Sequence, residues 1–352
     1  MRILFDIVHP AHVHFFKHMI WGLQKKGHQT AIIAREKDVT LKLLDLYGFE
    51  YQTIGFSGAK NRFQQLQELM LRDIAIFRLA LKFKPDVILT RNPAGVQVAR
   101  LIGATGIFDT DDGLAAGIHF KAAAPFAHVI TTPDSLPEDY GRKHVKYPGY
   151  KQTAYLHPNH FTPDPAVLDI LGVKPGDPFF IARFVDMIAT HDVNESGMSV
   201  EAKSAIIDKL KRHGKVFISS EGQLPEKWSD MRFSIPPHFL HDAMAFAKMI
   251  VGDSQTMAAE AAVMGTPSLR VSTFSGRLGY LNELESRYGI TISYHPKDVE
   301  LLFQKLDELL DSSEKLNEMK ATHQQIINDK CDVAQWFIDY LENMGSKLKV
   351  QS

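Results

Sequence analysis

The chain opens on an apolar, β-branched run over residues 3–8 that is broken only by Asp6, and then its period changes. Over 14–26 the apolar positions recur every three to four residues until Gly27, and 30–34 is β-branched again. A strand, a helix and a strand in that order predict a βαβ unit. The alternation continues with a helix over 39–47 ended by Gly48, a strand over 51–54 and a long amphipathic helix over 61–83. A strand over 86–90, a helix over 95–102 and strands over 106–109 and 128–132 follow. Such alternation predicts a parallel sheet with helices on both faces.

Between 147 and 178 the texture turns to YPGYKQTAYLHPNHFTPD and GVKPGDP, with proline and turn residues and no sustained period, so a linker and domain boundary are expected there. The second half restarts the pattern, with strands over 179–184, 215–220, 249–252 and 268–271 and helices over 199–213, 241–247 and 254–264. Helices over 299–310, 313–328 and 332–348 close the chain. Ligands of open parallel sheets bind beyond the carboxyl ends of the strands, so two such domains with facing edges imply a cleft. The chemistry is therefore expected in the loops at 9–14, 91–95, 110–113, 185–191, 220–223, 253–257 and 272–276.

Composition narrows the partners. A chain of 352 residues suits two domains. Its 40 Lys+Arg against 41 Asp+Glu leave no long-range field for nucleic acid. One cysteine, Cys331, excludes an internal disulfide and suggests a reducing, cytoplasmic compartment. The opening MRILFDIV carries Asp6 inside its apolar run and reads as a strand rather than a signal peptide. No window offers the roughly 18 to 20 uninterrupted apolar residues of a membrane span.

The stretch IVGDSQTMAAEAAVMGTPSLRV over 250–271 carries most chemistry. Ser254 can cap a helix whose free amides, with the hydroxyls of Ser254 and Thr256, suit a phosphate. Glu260 lies six residues on, about 9 Å along the axis, and its side chain leans back toward the N-terminus, where it can accept from a ribose diol. The plainer reading is a cap and a solvated glutamate. Arg183, at the end of a strand, can fork onto a diphosphate. Ser220 ends the next strand on the same side, and His191 either assists the leaving diphosphate or is tethered by Asp192.

In the first half, HPAHVH over 9–14 places histidines after strand one. His12 is the candidate general base, a metal site with His14 is its rival, and a helix-start residue bonding to backbone is the plain alternative. His14, Arg91 and Asn92 are candidates for contact with acceptor or sugar, against a strand-end turn before Pro93. FDTDDG over 108–113 carries Asp109 and Asp111 in a D-x-D pair and Asp112 beside them; three carboxylates in four residues repel unless a cation or hydrogen-bond donor meets them. A capping turn is the alternative. The stripe of Phe63, Leu66, Met70, Ile74, Phe77 and Leu81 reads as core, although the extra apolar positions and flanking basic residues of 61–84 leave a peripheral membrane contact open.

The block GDSQTMAAEAAVMGTPSL resembles the nucleotide-binding segment of GT-B enzymes, D-S-G-G-x-x-x-E-x-x-x-x-G-x-P in the non-hydrolysing UDP-N-acetylglucosamine 2-epimerases, and its counterpart in the peptidoglycan N-acetylglucosaminyltransferase. Asp253, Ser254, Glu260, Gly265 and Pro267 match, while Gln255 and Thr256 replace the glycine pair. MRILFDIVHPAHVHF with KKGH is similar to the start of the same transferase, with Pro10 and Ala11 in place of its glycines. The whole chain resembles a GT-B-type family of unassigned activity from polysaccharide gene neighbourhoods. The resemblance implies an acceptor-side Rossmann-like domain over 1–155 and a nucleotide-sugar-binding one over 156–331. It also implies a helix over 332–352 that crosses back to the first domain. It further implies transfer of a sugar from a UDP-sugar to a glycan or lipid-linked acceptor without a required metal. The alternative is 2-epimerisation using Asp111 and Asp112, and a nucleotide-sugar-binding protein without turnover is a third reading.

Overall fold

The computed structural model describes residues 1–54, 62–184, 198–220, 224–273 and 275–350, and only the backbone of 62–70 and 347–350. Its chain forms two compact units, Met1–Tyr155 with Lys330–Ser352, and Leu156–Asp329. Unit 1 runs β1 (Arg2–Ile7), α1 (Pro10–Lys25), β2 (Gln29–Arg35), α2 (Thr40–Leu46), β3 (Gln52–Ile54), α3 (Arg62–Phe83), β4 (Val87–Thr90) and α4 (Pro93–Ile102). It continues with β5 (Thr105–Asp109), α5 (Ile118–Ala123), β6 (Val129–Pro133) and β7 (His144–Tyr147), and α6 (Thr153–Leu156) meets the boundary. All neighbouring strands pair in parallel in the order β3-β2-β1-β4-β5-β6-β7. The order reverses between β1 and β4, the place where such sheets bind ligands.

Parallel strands are covered on both faces and read as unbroken apolar runs, which is why 3–8 was legible. The carboxylate inside β1 is buried. Asp6 is fully enclosed, accepts two bonds of 2.8 Å from Arg72 Nη2 of α3, and accepts a third of 2.8 Å from Thr90 Oγ1. Leu4, Ile33 and Ile88 pack against Ile76 and Ala80 of α3 and Val98 of α4.

Unit 2 runs α7 (Ala166–Leu171), β8 (Phe179–Phe184), α8 (Val200–Lys211), β9 (Lys215–Ser220), α9 (Leu240–Phe246), β10 (Met249–Gly252) and α10 (Gln255–Met264). Then come β11 (Ser268–Val271), α11 (Gly279–Ser286), β12 (Thr291–Tyr294), α12 (Val299–Asp311), α13 (Ser313–Ala321) and α14 (His323–Asp329). The parallel order is β12-β11-β10-β8-β9, with the switch between β10 and β8. Alternate residues face opposite layers. Phe180, Ala182, Phe184, Val251, Leu269 and Val271 pack on α8 and α12, whereas Phe179, Ile181 and Ile250 pack on α7, α9 and α10.

α15 (Val333–Val350) belongs to unit 1. Phe337 is fully buried, its ring 5.7 Å from Phe15 of α1 and 5.6 Å from Tyr147, and Trp336 lies 5.5 Å from Tyr147. Among the described residues no helix is long and apolar enough to cross a membrane.

Four expectations change. The loop at 9–14 is the first turn of α1, because His9 caps it through Nδ1 and Pro10, whose missing N–H is no loss there, occupies its first position. The expected linker contains α6 and α7. The helix expected over 313–328 breaks at Thr322, whose hydroxyl donates to the Met319 carbonyl at 2.7 Å. Short β7 and β12 escaped notice because HVKY and TISY alternate polar with apolar residues over only four positions each.

Candidate functional site

In unit 1, polar side chains gather where β4, β5 and β6 end. Arg91 follows β4 and bridges two carboxylates, donating through Nη1 to Asp109 and through Nη2 to Asp111. Lys151 Nζ meets the other oxygen of Asp111 at 2.7 Å, and Thr131 Oγ1 donates to Asp109 at 2.9 Å. The Arg91 guanidinium also lies over the Phe15 ring, 5.2 Å from its centre. Two cations thus answer the repulsion among the carboxylates of FDTDDG.

The burial of these groups separates their proton affinities. Asp109, only 1% exposed, has its pKa raised to about 6, because burial outweighs the pull of Arg91 and the Thr131 hydroxyl. Asp111 is equally enclosed, yet Arg91 and Lys151 together outweigh burial and hold it well below the usual carboxylate range. Asp112 is exposed, and the charge of Asp111 beside it raises its pKa. The backbone of this turn is held by Thr110, whose Oγ1 accepts from the amides of Asp112 and Gly113 at 3.3 and 3.2 Å. Gly113 has φ 51°, and a Cβ there would sit 2.4 Å from the Tyr140 hydroxyl.

The histidines and Asn92 each have local partners. His12 Nδ1 accepts from the Val8 amide at 3.4 Å, which leaves the proton of a neutral ring on Nε2. Burial first, then the charge of Arg91, pulls its pKa well below 6.5, so the ring is neutral at physiological pH. His14 lies on the buried face of α1 and stacks on Tyr155 at 5.5 Å. Asn92 caps α4, its Oδ1 accepting from Ala94 N at 3.3 Å, which is the turn reading.

In unit 2, Ser254 caps α10 and its Oγ accepts from Met257 N at 3.3 Å, with Gln255 and Thr256 half-buried in the first turn. Asp253 N donates to the Arg183 carbonyl at 3.0 Å, which ties the start of the turn to β8. Beneath lies a row across the sheet set by register: Ser219, Arg183, Gly252, Arg270 and Ser293 on successive strands. Arg183 Nη1 donates to Ser219 Oγ at 3.1 Å; Arg270 donates to Ser293 Oγ through Nε at 3.2 Å and Nη2 at 3.0 Å. Gly252 separates the arginines, and a Cβ there would lie 1.9 Å from the Arg183 carbonyl oxygen. Arg183, Gly252, Ser254, Met257, Ser268 and Arg270 line a small cavity at this place.

Glu260 faces inward. It is 4% exposed, and Oε1 lies 3.2 Å from Nε2 of buried His241, so the solvated-glutamate reading does not hold. Ser220 is half-buried at the end of β9. His191 and Asp192 lie outside the described residues. Sequence reasoning missed Arg270 and Lys151. A charge inside the strand SLRV was the available signal for Arg270; Lys151, in the presumed linker, offered none.

The fold has known counterparts. A UDP-GlcNAc 2-epimerase from Neisseria meningitidis, solved bound to UDP-GlcNAc, superposes with a TM-score of 0.67 at 12% identity, covering 97% of this chain and 100% of that one. Glycosyltransferase VinC, in complex with dTDP, gives 0.63 at 16% identity and covers 99% of each chain. The chain therefore has the GT-B-like fold of two Rossmann-like parallel-sheet domains. In sequence, an uncharacterized Methanocaldococcus jannaschii protein is 23% identical over 285 residues, 76% of this chain and 81% of its own length. Residues 1–335 match the family described as protein of unknown function (DUF354), and the chain belongs to that family.

Proposed function

We propose that the protein is a GT-B-type glycosyltransferase that moves a sugar from a UDP-sugar to a glycan or lipid-linked acceptor. The observation that carries this reading is the first turn of α10 at the β8/β10 switch point, capped by Ser254 and tied to the Arg183 backbone. There, helix amides and the Arg183 guanidinium take up the charge of the departing diphosphate, so no divalent cation is assigned to that role. Glu260, two turns into the helix, takes the ribose diol by exchanging its contact with His241.

The state of Asp111 weighs against its use as an epimerase base. Epimerisation at C2 requires a base able to remove a proton from carbon, and Asp111, held ionised by Arg91 and Lys151, is a weak one. Transfer requires removal of a proton only from a hydroxyl as it attacks. We assign that step to Asp112, the exposed carboxylate whose pKa is raised. His12, with its proton on Nε2, is assigned to orient the acceptor or sugar as a donor.

Incubation with UDP-N-acetylglucosamine alone, followed by proton NMR, tests the choice, because epimerisation needs no acceptor. The donor should persist, and its UDP moiety should bind in calorimetry. Appearance of the manno epimer would replace transfer with epimerisation. Absence of any nucleotide or nucleotide-sugar binding would refute both.

A further inference from the structure

The row Ser219–Arg183–Gly252–Arg270–Ser293 places two guanidinium groups on one face of the sheet, on strands flanking β10. Adjacent strands lie about 4.8 Å apart, so the two arginine backbones stand about 10 Å apart, with only Gly252 between them. Arg270 is 1% exposed and donates two hydrogen bonds to Ser293 Oγ. Its Nη1 is buried without any hydrogen-bond partner, and no carboxylate among the described residues forms an ion pair with it. Burial draws its pKa down, with Tyr280 and Glu285 acting more weakly the other way.

A guanidinium enclosed without a counter-ion is costly, and a second one on the same face makes it costlier. The amino end of α10 adds a third source of positive potential, since Ser254 and Met257 line the same cavity as both arginines. Three like contributions border one small cavity, and Gly252, where a Cβ would collide with the Arg183 backbone, lets the two arginine strands and the start of α10 line it together. What resolves such an arrangement is an anion with several acceptor oxygens, which two planar forks can share.

From this geometry we infer that Arg270 is a second phosphate-binding arginine, and that Arg183 and Arg270 bracket a phosphoryl group or diphosphate over Gly252. This rests on the nucleotide-sugar reading only for the identity of the group that carries the phosphate. The cradle itself makes no use of a base or ribose. The energy released when the anion enters offsets the cost of the unpaired charge, so the site is tuned to bind only ligands that bring a phosphate.

The experiment uses the full chain and inorganic pyrophosphate as probe, with calorimetry and melting temperature on wild type, Arg270→Met and Arg270→Lys. Wild type should bind pyrophosphate and melt higher in its presence. Arg270→Met should melt no lower than wild type without anion, because the unpaired charge is gone, while its pyrophosphate affinity falls at least about tenfold. Arg270→Lys keeps a charge but not the fork; it should lose affinity by a smaller factor, and it serves if the methionine variant does not fold. Unchanged pyrophosphate affinity in a folded variant would make Arg270 structural, and no pyrophosphate binding by wild type would overturn the cradle. If pyrophosphate binds but UDP binds no better, the cradle stands and the nucleotide reading falls.

Discussion

Replacing Asp109 by asparagine tests the electrostatics of unit 1 in a way that geometry alone does not. The amide keeps the shape of the carboxylate and can still accept from Thr131 Oγ1, and Arg91 keeps Asp111. What is removed is the titrating charge and, with it, the ion pair to Arg91 Nη1. In the folded protein Asp109 titrates at about 6, against 3.8 for the free side chain. A raised carboxyl pKa means that the native state holds the proton more tightly than the unfolded state between these values. Stability contributed by this group is therefore full below about pH 4 and is lost as pH rises through about 6. Integrating the difference in bound protons, wild type should gain about 1.3 kcal/mol relative to Asp109→Asn on going from about pH 7 to about pH 5. Subtracting the two proteins cancels the other carboxylates, Asp111 among them, whose lowered value acts only at still lower pH. Urea denaturation of both proteins at the two pH values measures the gain. A difference in stability that does not change with pH, or that moves in favour of the variant on acidification, would refute the assignment of a raised pKa.

Packing and capping supply further expectations. Phe337→Ala empties a site between the rings of Phe15 and Tyr147 and should cost about 3 to 5 kcal/mol in chemical denaturation, a loss confined to unit 1 in hydrogen exchange. Ser254→Ala removes the cap of α10 and should cost about 1 kcal/mol together with a measurable part of UDP affinity in calorimetry. Gly252→Ala sets a methyl group against the backbone of Arg183, which cannot give way as a flexible side chain can, so the melting temperature should fall by more than it does for Ser254→Ala. His12→Gln should keep UDP affinity and lose turnover only partly, since its amide can replace the Nε2 proton as a donor; turnover lost as fully as in Asp112→Asn would make His12 the base after all.

The alternation of strands and helices was legible because burial on both faces writes parallel strands as nearly continuous apolar runs, and ILFDI, VILT and MIVG are such runs. Where that reason lapses, so did legibility. Strands β7 and β12 sit at the edges of their sheets and keep polar residues such as Lys146 and Ser293, so four residues gave no period to find. The start of α1 was misplaced because histidine is an unusual cap and the proline after it suggested a loop, although proline suits the first position of a helix.

The two sites differ in how they handle charge, and this sets what sequence could show of each. In unit 1 the cluster is closed upon itself, with Arg91 and Lys151 facing Asp109 and Asp111. FDTDDG announced that cations were needed, but Lys151 is forty residues from Asp111 by number, and nothing local marks the pair. In unit 2 the helix cap at Ser254 was legible from spacing, whereas Arg270 was not, because its meaning depends on register. Only when Gly252 pairs with Arg183 on one side and Arg270 on the other does one charged residue in SLRV become half of a bracket. A compensated cluster is stable without ligand and can serve as a rigid wall. The buried Nη1 of Arg270, which makes no hydrogen bond, carries a standing cost that an anion removes, so anion binding should stabilise unit 2 and leave unit 1 little changed. Hydrogen exchange with and without pyrophosphate should accordingly show protection rising in β8, β10 and β11. Protection that rises only in β4 and β5 would place the anion on Arg91 and reverse the assignment of the two units.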